Sequence, residues 1–227
     1  MNPAARSERP RWLNTESLRL TLTLGGRFAG EQVWQTQPEK FGALGAGYQT
    51  RVQTDFGGVL PAVRKVQVSR YLADGTSLSY AESDGRNKPH FEVQFDAATA
   101  LITLRQHQDE AAAPLLVAHY DPVSLVMALR GPAAPTELWR AALTGGAVHV
   151  QPLPEAEIAG LRARAFYLRP GGAYVASELE APYRLLRLVQ PTDFGPVDAS
   201  LQPEARRKDG KEDGRSEKAD KPRRRRA

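Results

Sequence analysis

The fold is decided by the stretch Tyr120-Asp121-Pro122-Val123-Ser124-Leu125-Val126-Met127-Ala128-Leu129-Arg130-Gly131-Pro132. It predicts one short helix, with a sequence signal at its start and another at its end. Asp121 is a good N-cap residue, Pro122 suits the first helical position, and Gly131-Pro132 ends the helix. Because nearly every other periodic segment alternates with the two-residue period of strands, we expect this helix to plug or flank a curved sheet.

The alternation is strictest in residues 17–24, where leucines 18, 20, 22 and 24 share one face and predict a core strand. Gly25-Gly26 predicts a hairpin into a second strand over 28–36, and residues 37–47, with one proline and three glycines, predict a loop. Further strands are predicted over 47–56, 63–72, 77–82, 90–96, 100–107, 147–150, 158–169, 173–180 and 182–190.

Two connecting segments are less regular. Residues 108–114 are polar and alanine-rich, and they lead through 115–117 into the helix. Residues 136–143 are compatible with a helix, but Thr144-Gly145-Gly146 before the next strand favours a hairpin. Ten to twelve short strands with one helix predict a mainly β fold: a curved antiparallel sheet, open barrel or sandwich.

Composition excludes several classes of function. The chain has 227 residues and no cysteine, so disulfides, thiolate zinc sites and cysteine nucleophiles are absent. No apolar run approaches the roughly 20 residues of a membrane helix. No apolar stretch follows the basic residues of the N-terminus, so no standard signal peptide is visible, which favours a cytoplasmic location.

The net positive charge of the chain lies in its C-terminal tail. The tail from Glu204 to Ala227 carries eleven of the 31 basic residues and six of the 26 acidic ones, so residues 1–203 carry twenty of each sign. We therefore predict a flexible segment over 1–16, one β domain over 17–203 and a disordered basic tail over 204–227. The candidate phosphate-binding residues in the tail are Arg206, Arg207, Lys208, Lys211, Lys221, Arg223, Arg224, Arg225 and Arg226.

Three features together give the sequence a family resemblance. They are an opening strand followed by Gly26 and Ala29-Gly30, the Asp121-Pro122-Val123-Ser124 helix start, and the closing segment Pro182-Tyr183-Arg184-Leu185-Leu186-Arg187-Leu188. In this order the chain resembles, over roughly residues 18–190, the bacterial family called domain of unknown function 3108. The resemblance implies a curved antiparallel sheet with a short helix in proteins often predicted to be exported. It implies no activity, and this chain departs from the family in its basic tail and its lack of a signal peptide.

Residues with catalytic or metal-binding chemistry are sparse. The four histidines, at positions 90, 107, 119 and 149, show no metal-ligand spacing. His119 lies close to Asp121, but a helix cap explains that carboxylate better than a catalytic pair does. Ser124 lacks the Gly-x-Ser-x-Gly context of a nucleophile elbow, and the glycine pairs match hairpin turns rather than phosphate loops. No cofactor or metal is predicted.

Three classes of function follow from these observations. The first is a non-enzymatic binding or scaffold domain whose concave face holds an apolar ligand, a lipid or a protein segment. The second is a nucleic-acid-associated protein whose tail contacts phosphates, although a purely solubilising tail explains the same charges. An enzyme ranks last, because no set of acid, base, nucleophile or metal ligands emerges.

Overall fold

The computed structural model describes residues 13–86, 88–144 and 146–202. Its helical elements are the 3₁₀ turn Gly42–Leu44 and the helix α1, Pro122–Arg130. The strands are β1 Glu16–Leu24, β2 Arg27–Lys40, β3 Ala46–Phe56, β4 Arg64–Leu72, β5 Ser77–Ser83, β6 Phe91–Asp96, β7 Leu101–Gln106, β8 Asp109–Pro114, β9 His119–Tyr120, β10 Trp139–Leu143, β11 Gly146–Ile158, β12 Leu161–Arg169, β13 Ala173–Glu178, β14 Leu185–Thr192 and β15 Gly195–Leu201. The predicted mainly β fold with one α-helix is confirmed for these residues, and the predicted tail lies outside them.

All fifteen strands form one sheet in the order β8-β7-β6-β5-β4-β3-β2-β1-β15-β14-β13-β12-β11-β10-β9. Every pair is antiparallel except β9 with β10. The order contains two meanders, β1 to β8 and β10 to β15, and β9 lies beside β10 at one edge of the sheet. The meanders meet where β1 pairs with β15, with Leu20 opposite Leu201 and Leu24 opposite Val197.

The sheet must curl strongly because its two edges are neighbours in the chain. Laid flat, fifteen strands would span about 67 Å from edge to edge. Yet the edge strands β8 and β9 are joined by residues 115–118 alone, and this link reaches at most about 18 Å when fully extended. The curled sheet is therefore a barrel-like shell, as the predicted curved sheet requires.

Helix α1 lies inside this shell. It contacts β3 and β4 in one meander, β13 in the other, and the edge strand β9. Seven of its nine residues are buried, Leu129 and Arg130 completely. The facing core includes leucines 18, 20 and 22 of β1, as predicted, together with Trp34, Tyr48 and Tyr71. Within the described residues, no helix is long and apolar enough to cross a membrane.

The prediction of a loop over residues 37–47 is wrong for most of that segment. Strand β2 continues to Lys40, and Pro38 lies opposite Tyr48 of β3. The proline is tolerated because β1 pairs with β2 only as far as Thr36, so beyond that point β2 has a neighbour on one side. The missing N–H of Pro38 therefore costs no hydrogen bond in the sheet.

The predicted long strand over 158–169 is confirmed from Leu161 onward as β12, but the prediction begins three residues too early. Ile158 ends β11, and Ala159-Gly160 turns the chain into β12 with both residues at positive φ, +53° and +79°. Two successive left-handed residues make a tight hairpin turn. The expected hairpin between 136–143 and the next strand is confirmed by the pairing of β10 with β11.

Three further strands were not predicted from the sequence pattern: β8, the two-residue β9 and β15. Strand β8 is an exposed edge strand whose sequence, Asp-Glu-Ala-Ala-Ala-Pro, has no apolar alternation. Strand β15 follows a turn at Asp193-Phe194 and buries only Val197 and Ala199. Strands β8 and β15 both lack alternating large apolar residues, the pattern that identifies a strand in sequence.

Candidate functional site

The start of helix α1 is fixed to the sheet by the carboxylate of Asp121. Its Oδ1 accepts the backbone N–H groups of Val123 (2.8 Å) and Ser124 (2.9 Å). Its Oδ2 accepts the hydroxyls of Ser69 on β4 and Ser77 on β5, both at 2.6 Å. Burial raises the pKa of Asp121, and the four donors oppose that rise. The predicted N-cap is confirmed, and it also ties the helix to two strands.

The contacts of His119 and Ser124 are structural. The Nδ1 of His119 lies 2.8 Å from the carbonyl oxygen of Val117, and its ring packs beside Phe95. The hydroxyl of Ser124 accepts the N–H of Asp121 at 3.0 Å, which completes a capping box. Asp121 and Ser124 therefore position the start of the helix, and His119 contacts Val117 and Phe95, which agrees with the structural interpretation of the His119–Asp121 pair.

The end of the helix is held by two arginines. The Nη2 of Arg130, a fully buried side chain, lies 2.9 Å from both carboxylate oxygens of Glu16, and its Nε donates to the carbonyl oxygen of Tyr183 at 2.8 Å. Arg164 donates to the carbonyl oxygen of Gly131 at 3.1 Å and stacks over the ring of Tyr183. The helix is thus anchored at both ends, and the middle of the concave face is occupied.

Two clefts remain beside the helix, on either side of the turn between β4 and β5. The first cleft has a volume of about 330 Å³. Its walls are the second half of the helix, the segment after it and the edge of the sheet at Trp139; the lining includes Tyr120, Met127, Ala128, Pro132 and Pro135. Asp74 is its one ionisable carboxylate.

The second cleft, of about 420 Å³, lies between the β4–β5 turn and residues 115–119. Its apolar lining residues are Leu44, Ala46, Leu72, Ala73, Leu78, Phe95, Ala97, Ala100, Leu115, Leu116, Val117 and Ala118. The polar residues of the lining are Asp74, Thr76, Ser77 and His119. Ala73 and Asp74 line both clefts, so the turn is the wall between them.

The β4–β5 turn rests directly on the helix. Gly75 has φ of +87°, and a Cβ added there would stand 2.6 Å from the Cβ of Ala128. Only glycine permits both the left-handed backbone and this close approach. Asp74-Gly75 is a typical turn dipeptide, but no local sequence signal indicates that this turn separates two clefts.

The structure brings together two histidines that the sequence kept apart. The rings of His90 and His107 lie with centroids 6.3 Å apart, and the Nε2 of His90 is 3.9 Å from a carboxylate oxygen of Glu82. Among the described residues, no three potential ligands are already close enough to hold a metal ion. The tail candidates, residues 206–208, 211, 221 and 223–226, lie outside the described part of the chain.

Comparison with known proteins supports the fold alone. No family model matches the chain, and no curated protein matches it. A similar solved structure is a β-barrel-like protein of domain of unknown function DUF1849 from Brucella abortus. It shares 12% identity over 84% of this chain and 96% of its own, with a TM-score of 0.51. The chain therefore shares a β-barrel-like fold with this protein, while the resemblance to family 3108 stays a prediction.

Proposed function

We propose that this protein is a non-enzymatic binding domain that holds an acyl-chain-like apolar ligand in the clefts beside the β4–β5 turn. The observation that carries the proposal is the wall of the second cleft, where large apolar side chains face solvent. Leu116 is 83% exposed, Val117 58% and Leu44 49%. Water contact with clustered apolar side chains of this size is unfavourable, and such clusters mark sites that a ligand or partner covers.

The volumes and linings of the two clefts fit small ligands. Each cleft falls in the roughly 300–1,000 Å³ range of small-molecule sites, which are mostly apolar with a few polar groups. In the second cleft, Thr76 and His119 supply polar atoms among aliphatic neighbours. This arrangement suits a ligand with a long apolar body and one small polar end.

A binding role agrees with what the polar residues near the helix do. The carboxylate of Asp121 and the hydroxyls of Ser77 and Ser124 are committed to one another and to the backbone. Both serine side chains are at most 2% exposed. A catalytic nucleophile must reach its substrate, so these groups serve the scaffold.

The test is binding of a dansylated fatty acid to the full chain, followed by dansyl fluorescence. Ala97 lines the second cleft and is exposed, so Ala97→Trp should fill the cleft and weaken binding about tenfold, a loss of roughly 1.4 kcal/mol. Ala98→Trp is the matched control: it lies in the same exposed turn but does not line the cleft, and it should bind as the parent does.

Three results would overturn the proposal. One is the absence of saturable probe binding. Another is equal weakening by Ala97→Trp and Ala98→Trp, which would place the probe elsewhere. The third is displacement of the probe by apolar peptides but not by unlabelled fatty acids, which would assign the clefts to a protein segment instead of an acyl chain.

A further inference from the structure

A row of three potential metal ligands crosses the ends of β5, β6 and β7. The backbone N–H of His90 donates to the carbonyl oxygen of Glu82 at 2.9 Å, and that of His107 donates to the carbonyl oxygen of His90 at 3.0 Å. The three residues are therefore neighbours across the sheet, although 8 and 17 positions separate them in sequence. Their side chains lie on one face, because His90 approaches both Glu82 and His107.

We propose that Glu82, His90 and His107 form a binding site for a divalent transition-metal ion of the Zn²⁺ type. Two imidazoles on one tetrahedral zinc, each with Zn–N of about 2.0–2.1 Å, place their ring centroids about 5 Å apart. The present separation is 6.3 Å. Zinc binding would bring the two rings about 1 Å closer together, and both histidine side chains are exposed.

The carboxylate of Glu82 is already oriented for this role. Its Oε1 lies 3.0 Å from the Nζ of Lys65 and accepts hydrogen bonds from the hydroxyl of Tyr80 and, at 3.3 Å, from Gln67. Its Oε2 is the oxygen that faces His90. The hydrogen bonds from Tyr80 and Gln67 fix the direction of the carboxylate, as outer partners do in most metal sites.

The composition of the site selects the class of ion. Two imidazoles with one carboxylate suit zinc and its neighbours in the first transition row better than Mg²⁺ or Ca²⁺, which prefer all-oxygen sets. Three protein ligands leave a further position for water or a small anion, as expected for ligands at the surface. The ammonium of Lys65 opposes the bound cation, so its removal should strengthen binding.

The site is tested by isothermal titration of the full-length, untagged chain with ZnCl₂ at neutral pH. We expect one equivalent to bind, and His90→Ala and His107→Ala each to weaken binding about tenfold or more, as loss of a ligand should. His149→Ala is the control, because His149 lies on β11 in the other meander, and it should leave binding unchanged. Lys65→Gln should tighten binding several-fold.

Circular dichroism of each variant confirms that it is folded, which is expected because the histidines are exposed. Shifts of the His90 and His107 imidazole signals in NMR spectra on zinc addition would support the assignment independently. The inference is overturned by the absence of one-to-one binding at about 100 μM zinc, where even a Kd of tens of micromolar gives a signal. It is also overturned by binding that His90→Ala leaves intact or that His149→Ala abolishes equally.

Discussion

Substitution of Gly75 by alanine tests whether the wall between the two clefts is built on a direct turn–helix contact. Two costs add at this position. The left-handed backbone, φ +87°, costs an L-residue roughly 1–2 kcal/mol. The new methyl would also stand 2.6 Å from the Cβ of Ala128. Overpacking of a dense interior typically costs a further 1–3 kcal/mol or so. We expect Gly75→Ala to lower the free energy of unfolding by about 2–5 kcal/mol.

Gly160→Ala separates the two costs. Gly160 has nearly the same φ, +79°, but nothing lies within 4 Å of its added Cβ. It should therefore show the backbone cost alone, about 1–2 kcal/mol. The difference between the two variants measures the contact with the helix.

Urea unfolding followed by tryptophan fluorescence is a suitable assay, since Trp34 is 2% exposed in the core. Adding Ala128→Gly to Gly75→Ala should recover part of the contact cost, and a double-mutant cycle isolates that coupling. Equal destabilisation by Gly75→Ala and Gly160→Ala, or zero coupling in the cycle, would refute the reasoning.

Three further predictions address the anchors of the helix and the tail. Glu16→Ala removes the carboxylate that pairs with Nη2 of the buried Arg130 and should cost about 3–5 kcal/mol in chemical denaturation, whereas Glu31→Ala, which breaks the exposed pair with Arg19, should cost at most about 1 kcal/mol. Because burial raises the pKa of Asp121, the native state holds its proton more tightly. Stability should therefore fall as pH rises from about 3.8 through the raised pKa, and Asp121→Asn should remove this component from the pH dependence of unfolding; an unchanged profile contradicts the assignment. Finally, a chain ending at Pro203 should lose salt-sensitive retention on nucleic acid if the tail arginines and lysines bind phosphates, and retention that survives truncation rejects that role.

The sequence predicted those parts of the fold in which local chemistry and tertiary packing agree. Helix α1 has a capping carboxylate, a proline at its first position and a glycine at its end, so its bounds could be read directly. The leucines of β1 alternate with other residues, and this alternation identifies the buried face of the strand. On β4 the buried, helix-facing set instead includes Gln67, Ser69 and Tyr71, whose polar atoms are satisfied by partners distant in sequence.

The candidate sites could not be predicted because they depend on the curl of the sheet and on strand register. The two clefts exist because a turn at Gly75 meets a helix that begins 47 residues later, and no local pattern encodes that contact. Glu82, His90 and His107 are neighbours because the lengths of two hairpins place the ends of three strands side by side. A period-two pattern indicates the face of a residue but not its cross-strand neighbour.

The pairing of β1 with β15 has a consequence for how the protein is made. These strands are the first and last of the described chain, and their pairing joins the two meanders. At about 5–20 residues per second of synthesis, β15 leaves the ribosome on the order of ten seconds or more after β1. During that interval one edge of the leucine-rich strand β1 has no partner strand, and its backbone can pair with other nascent chains. Chaperone dependence should therefore fall in a circular permutant whose linker joins these two strands and whose new termini open between β8 and β9.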